Sequence, residues 1–100
     1  MDRYEVLLYP KALRDIDDIY SYIAAEKLAP KNAKKQTDRI WKAIKELATF
    51  PESHQDRLEG RFVDKGYKQL VIDNYLAIYK IDKVKKKVYV VTVVYQKQDV

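Results

Sequence analysis

The chain has no cysteine, one histidine, two glycines and three prolines in 100 residues. Without cysteine there is no disulfide, no thiolate nucleophile and no sulfur ligand, a composition that fits a reducing cytosol. The two glycines, Gly60 and Gly66, cannot build a glycine-rich loop around a nucleotide phosphate. His54 stands in a polar stretch with no second histidine or cysteine, so no zinc site is expected. Ser21 and Ser53 have no histidine–aspartate pair to activate them, which sets aside serine hydrolase chemistry. Asp15, Asp17 and Asp18 are read as a solvated acidic face near a helix start, where they complement the helix dipole, rather than as metal ligands. No apolar run approaches the roughly 20 residues that cross a bilayer. Nor does Met1-Asp2-Arg3 open a signal peptide. A cytoplasmic protein with no membrane partner, no metal and no small-molecule cofactor is the expectation.

What is present is a core-forming, basic chain. Hydrophobic residues make up 47% and charged residues 35%, enough of each to bury a core and stay soluble, and the length suits a single domain over 1–100. So small a domain has little stability to spare, and a partner covering an apolar flank would add to it. The net charge of +5 is unevenly spread. Acids balance bases up to Asp38, whereas from Arg61 to Lys87 bases well outnumber Asp64, Asp73 and Asp82. A basic half points to an anionic partner such as nucleic acid, a ribosome or an acidic protein. Lysines that merely keep the chain soluble are the plain alternative.

Hydrophobic periodicity predicts the element order. Residues 3–9 are β-prone and end at Pro10, which opens a first helix to about Glu26 with Ala12, Leu13, Ile16, Ile19, Tyr20, Ile23 and Ala24 on one stripe. Pro30 opens a second, with Ala33, Thr37, Ile40, Trp41, Ile44, Leu47 and Ala48 buried, and Phe50-Pro51 closes it. The short connection makes the pair an antiparallel hairpin. After a polar loop over 52–60 come three strands, Lys65 to Ile72, Tyr75 to Ile81 and Val88 to Tyr95, joined by tight turns. The fold class is α+β, with order β-α-α-β-β-β: a twisted antiparallel sheet with an N-terminal helical hairpin packed on one face. The other sheet face is expected to be bare, concave and lined by cations.

The chemistry left to such a surface belongs to lysine, arginine and tyrosine. Cations grip phosphate and stabilise charge building on a phosphorane, and phenols stack on bases. Lys68, Arg61, Lys97 and Tyr95 are therefore the catalytic candidates, and Arg57, Lys65, Lys80, Tyr75 and Tyr79 the candidates for binding nucleic acid or another target. Metal-free RNA cleavage by the ribose 2′-OH needs only a proton acceptor, a proton donor and such cations. Of the nine tyrosines, more than half are expected to be packing residues instead.

Several stretches, in order, resemble the RelE/ParE superfamily of toxins over about Tyr4 to Asp99. They are Tyr4-Glu5-Val6, the run from Ala12 to Ile23, Leu47-Ala48-Thr49-Phe50-Pro51, Leu58-Glu59-Gly60, Asn74 to Ile81, and Val93 to Asp99. The resemblance implies a growth-arresting toxin of a type II toxin–antitoxin module, of the kind linked to plasmid stabilisation, silenced by a cognate antitoxin. RelE-like members are metal-independent endoribonucleases that cut mRNA on the ribosome, and ParE-like members poison DNA gyrase. In the first case Lys68, Arg61 and Lys97 would hold phosphate and Tyr95 or Tyr79 would stack on a base. Two positions depart from the RelE pattern: Leu76 and Gln98 stand where arginines are usual. Lys68 matches the catalytic lysine only with a one-residue shift, and a C-terminal helix with a catalytic tyrosine has no counterpart. The long helical hairpin is closer to ParE. A degenerate toxin homologue, acting mainly as an antitoxin-binding regulatory module, is the third reading.

Overall fold

A computed structural model describes residues 3–57 and 66–96. Strand β1 (Glu5–Leu8) leads directly into helix α1 (Pro10–Ser21), continued by a π-helical turn over Tyr22–Glu26. Helix α2 (Pro30–Glu46) follows, then a short 3-10 turn at Pro51–Ser53, and strands β2 (Lys68–Ile72), β3 (Tyr75–Asp82) and β4 (Lys87–Tyr95). Pro10 and Pro30 both open their helices, where the missing N–H is not needed and the fixed φ is already helical. Leu28 turns the chain between the helices at φ 52°, a left-handed conformation that a branched side chain adopts at a cost, and it is 85% exposed.

The sheet order is β1-β4-β3-β2. Strands β2, β3 and β4 form the expected antiparallel meander, with Ile72 opposite Tyr75 and Asp82 opposite Lys87 across the two turns. The expectation of an antiparallel sheet needs one correction: β1 joins parallel to β4, Glu5 opposite Lys87 through Leu8 opposite Val90, so the sheet is mixed. Tight turns reveal the direction of sequential strands. The partner of β1 lies some eighty residues away and leaves no local trace.

Strand alternation separates the two faces. Ala12, Ile16, Ile40, Ile44 and Leu47 from the helices pack on Leu70, Ile72, Ala77, Tyr79, Val88, Val90 and Val93 from the sheet. Burying one such aliphatic side chain contributes about 1.5–3 kcal/mol. The α2 stripe is as expected, whereas Leu13 and Tyr20, assigned to the α1 stripe, are 43% and 41% exposed. At the other face the expectation of a bare surface fails: Leu76 and Ile78 alternate away from the helices, yet are 6% and 0% exposed. A bulge in β4 between the partners of Ile78 and Tyr79 shifts the register there.

Candidate functional site

Asp15 shows how tightly α1 is bound to the sheet. It lies beyond the first turn of α1, too far in to act mainly on the helix dipole. Its carboxylate accepts from the Val93 backbone N–H at 3.0 Å, the Thr92 hydroxyl at 2.5 Å and the Lys11 ammonium at 3.0 Å. Strand β1 stops pairing at Leu8, with Tyr9 donating its N–H to the Val90 carbonyl, so Asp15 caps the edge of β4 just where β1 leaves it. The reading of Asp15 as a solvated acid is thereby corrected, while Asp17 and Asp18 are exposed. Among the described residues, no three His, Asp or Glu side chains gather to hold a metal, and no helix is long and apolar enough to cross a membrane.

The sequence candidates fall in three separate places. The first lies where the chain leaves α2 and meets β2. Lys68 faces the same side as Leu70, its ammonium held by the Asp56 carboxylate at 2.8 Å and the His54 carbonyl at 3.2 Å. Its side chain is 21% exposed. Arg57 donates to Gln69 Oε1 at 3.0 Å, and its Nε is buried with no partner among the described residues. Tyr79, opposite Lys68 in the register, is fully buried and donates its hydroxyl to the Pro51 carbonyl at 2.5 Å, with His54 edge-on to its ring. Burial, aided by the nearby Asp56 charge, holds that phenol protonated well above the ordinary range. A ring so enclosed cannot stack on a base, so the binding role expected of Tyr79 is corrected to a packing one.

The second place is the opposite end of β3. Tyr75 and Tyr95 face each other across the strands with rings edge-on, 5.7 Å apart. They form one wall of a groove of about 670 Å³ whose other wall is Ile19, Tyr22, Ile23 and Lys27 at the end of α1 and its π turn. Tyr95 is 37% exposed. Burial raises the Tyr75 pKa, and the neighbouring Tyr95 and Tyr22 phenols add to it. The third place is the outer face, where Lys80 projects among the rings of Tyr9, Tyr67 and Tyr89.

Arg61, Lys65 and Lys97 lie outside the described residues. Of the remaining candidates, the sheet brings Lys68, Arg57 and Tyr79 to one end and Tyr75 and Tyr95 to the other, and leaves Lys80 on the far face. The single cation-lined surface expected from the sequence is not what these residues form. Sequence reasoning also missed Tyr9, Tyr67 and Tyr89, because only the parallel register of β1 brings Tyr9 beside β4.

A helical hairpin on a mixed four-stranded sheet of this order is a toxin fold of the RelE/ParE type. The family model described as the ParE toxin of the type II toxin–antitoxin system parDE matches residues 6–100, and the chain belongs to that family. No curated protein sequence matches it. Among solved structures, a chain of the chromosomal ParDE toxin–antitoxin system of P. aeruginosa superposes with a TM-score of 0.74 at 20% identity, covering 93% of this chain and 96% of that one. A chain of the RelBE2 toxin–antitoxin complex of Mycobacterium tuberculosis gives 0.64 at 19% identity, covering 98% and 97%. A mutant of the E. coli toxin RelE in the free state gives 0.65 at 15% identity, covering 95% and 85%. At these identities the likeness is one of fold.

Proposed function

We propose that this toxin arrests growth by binding DNA gyrase rather than by cutting RNA, and that a cognate antitoxin holds it inactive in the cytoplasm. The observation that carries this reading is the condition of the side chains a RelE-like nuclease would need. Lys68 is paired with Asp56 and held by a backbone carbonyl. Tyr79 is buried and already donating. Leu76, at the position where RelE-like chains carry arginine, is 6% exposed and apolar. Each missing cationic contact costs a phosphoryl transition state about 10²–10³ in rate. With Leu76 and Gln98 in the two usual arginine positions, little of such a nuclease is left, whereas a toxin that works by binding alone loses nothing. Membership of the ParE family supports the same target.

The test is to induce the chain alone and map RNA ends and DNA breaks in the same culture. Gyrase-dependent DNA breaks with intact transcripts are expected, and co-expression of a neighbouring antitoxin should restore growth. Cuts within translated messages, with DNA left whole, would return the chain to the RelE reading. Unimpaired growth on induction would leave only a degenerate, regulatory module.

A further inference from the structure

We propose that the sheet face turned away from the helices carries a binding site for an unpaired nucleic-acid strand, centred on Lys80 and the tyrosines around it. The proposal goes beyond the gyrase reading and does not depend on it. Lys80 projects from β3, and its ammonium lies 5.9 Å from the ring centre of Tyr9, 5.9 Å from that of Tyr67 and 5.8 Å from that of Tyr89. These rings come from the end of β1, the residue before β2, and β4, so three distant stretches converge on one cation. The Tyr9 and Tyr89 rings are 6.0 Å apart and inclined at 57°, as two walls of a hollow rather than a closed stack. That hollow, of about 590 Å³, opens beside Asp82 and Lys83.

The charge around it favours an anion. Among the described residues no carboxylate pairs with the Lys80 ammonium, and the Tyr9 hydroxyl that accepts from it raises its pKa, so it stays cationic. Asp82, the acid at the rim, is occupied: its Oδ1 accepts the backbone N–H groups of Val84 and Lys85 at 3.1 and 3.0 Å and so shapes the turn. Of the lysines in the Asp82-to-Lys87 hairpin, Lys83 lines the hollow, Lys87 shares a strand face with Tyr89, and Lys86 reaches instead over the Tyr4 ring. Of these, Lys83 is shared with Glu52 at 2.7 Å and Lys87 more loosely with Glu5 at 3.8 Å.

An ammonium framed by phenol rings in an open hollow combines the two groups a single strand needs. The cation takes a phosphate, and the solvent-facing parts of the Tyr9 and Tyr89 rings take an unstacked base. A cluster serving packing alone would be closed over, yet Tyr9 is 39% exposed and Lys80, Tyr67 and Tyr89 are only half-buried. A duplex hides its base faces and would use the lysines but not the rings. An unpaired strand is therefore the occupant that accounts for both.

The test is fluorescence anisotropy with a short labelled thymidine oligonucleotide and, separately, its duplex, in the absence of gyrase. Failure of the gyrase reading thus leaves this measurement untouched, and the reverse also holds. The intact chain is expected to bind the single strand more tightly than the duplex. Tyr89→Leu and Lys80→Gln should each weaken single-strand binding about tenfold, the size of one lost base stack. For Lys80→Gln the slope of log affinity against log salt should also fall by about one. Lys80→Arg should keep most of the affinity, and Lys68→Gln, on the other side of the sheet, all of it. Tyr9→Ala, at an already exposed ring, reads the same site should Tyr89→Leu fail to fold. No binding by the intact chain, equal binding of single strand and duplex, or unchanged affinity in folded Lys80→Gln and Tyr9→Ala would each overturn the proposal.

Discussion

Tyr75 and Tyr79 sit four residues apart on one strand and face the same side of the sheet, yet they live in different surroundings. Tyr79 is sealed beneath the turn that follows α2, its hydroxyl spent on the Pro51 carbonyl. Tyr75 stands half-buried at the wall of an open groove, with Tyr95 as its neighbour. What separates them is the element above each. The 51–56 segment closes one end of the sheet and lends Asp56 and the His54 carbonyl to Lys68. At the other end β1 has already stopped, and α1 meets β4 through Ala12, Ile16 and the Asp15 cap, with the groove beyond them left open. The closed end is a structural plug, and among the described residues the other end is an open groove.

The sharpest test of that contrast is truncation at both ends. Tyr79→Ala should destabilise the protein by about 3–5 kcal/mol in urea unfolding, as expected for a large aromatic removed from a closed core. Tyr75→Ala should cost well under half as much, since the groove already admits water. Equal losses would erase the distinction between the ends.

Asp15→Ala comes next. It strands the Val93 N–H and the Thr92 hydroxyl, and each unsatisfied buried donor costs about 1–3 kcal/mol. Asp17→Ala, two residues along on the exposed face, should change stability by less than about 0.5 kcal/mol. A solvated Asp15 would behave like Asp17.

Alkaline titration sharpens the comparison further. The folded-state pKa of Tyr79 is raised by burial above the ordinary phenol value near 10. In the unfolded chain the same group ionises near that value. Its contribution is thus complete below about pH 10 and lost as pH climbs from there towards the folded pKa. The unfolding midpoint should fall faster above pH 10 in the native chain than in Tyr79→Phe. Parallel curves would mean that the phenol is not enclosed.

Much of the fold was legible from residues and spacing because it is local. Pro10 and Pro30 mark helix starts, the Ile40-Ile44-Leu47 stripe marks a buried face, and Asp73 and Asp82 mark turns that each join two successive strands. What escaped was set by contacts distant in sequence. The parallel seat of β1 depends on β4, the Asp15 cap on Thr92 and Val93, and the burial of Tyr79 on Pro51. Lys68 is a case in point. It reads as a free cation until the bridge between Asp56 and Lys68 brings a carboxylate beside it. The candidate site suffered most, because alternation shows which residues share a face but not which neighbours occupy them. Tyr9, Tyr67 and Tyr89 each read as one more sheet tyrosine until the register gathered them around Lys80.

A small effect is expected of Lys68→Gln, and it bears directly on the central claim that the closed end performs no chemistry. A largely exposed partner such as Asp56 limits the lost ion pair to about 1 kcal/mol or less. The decisive measurement is supercoiling by purified gyrase, titrated with the native toxin and with Lys68→Gln. Equal inhibition by both, with translated transcripts left uncut, is the expected result. Gyrase untouched by the native chain, together with ribosome-dependent cleavage that Lys68→Gln abolishes, would contradict it.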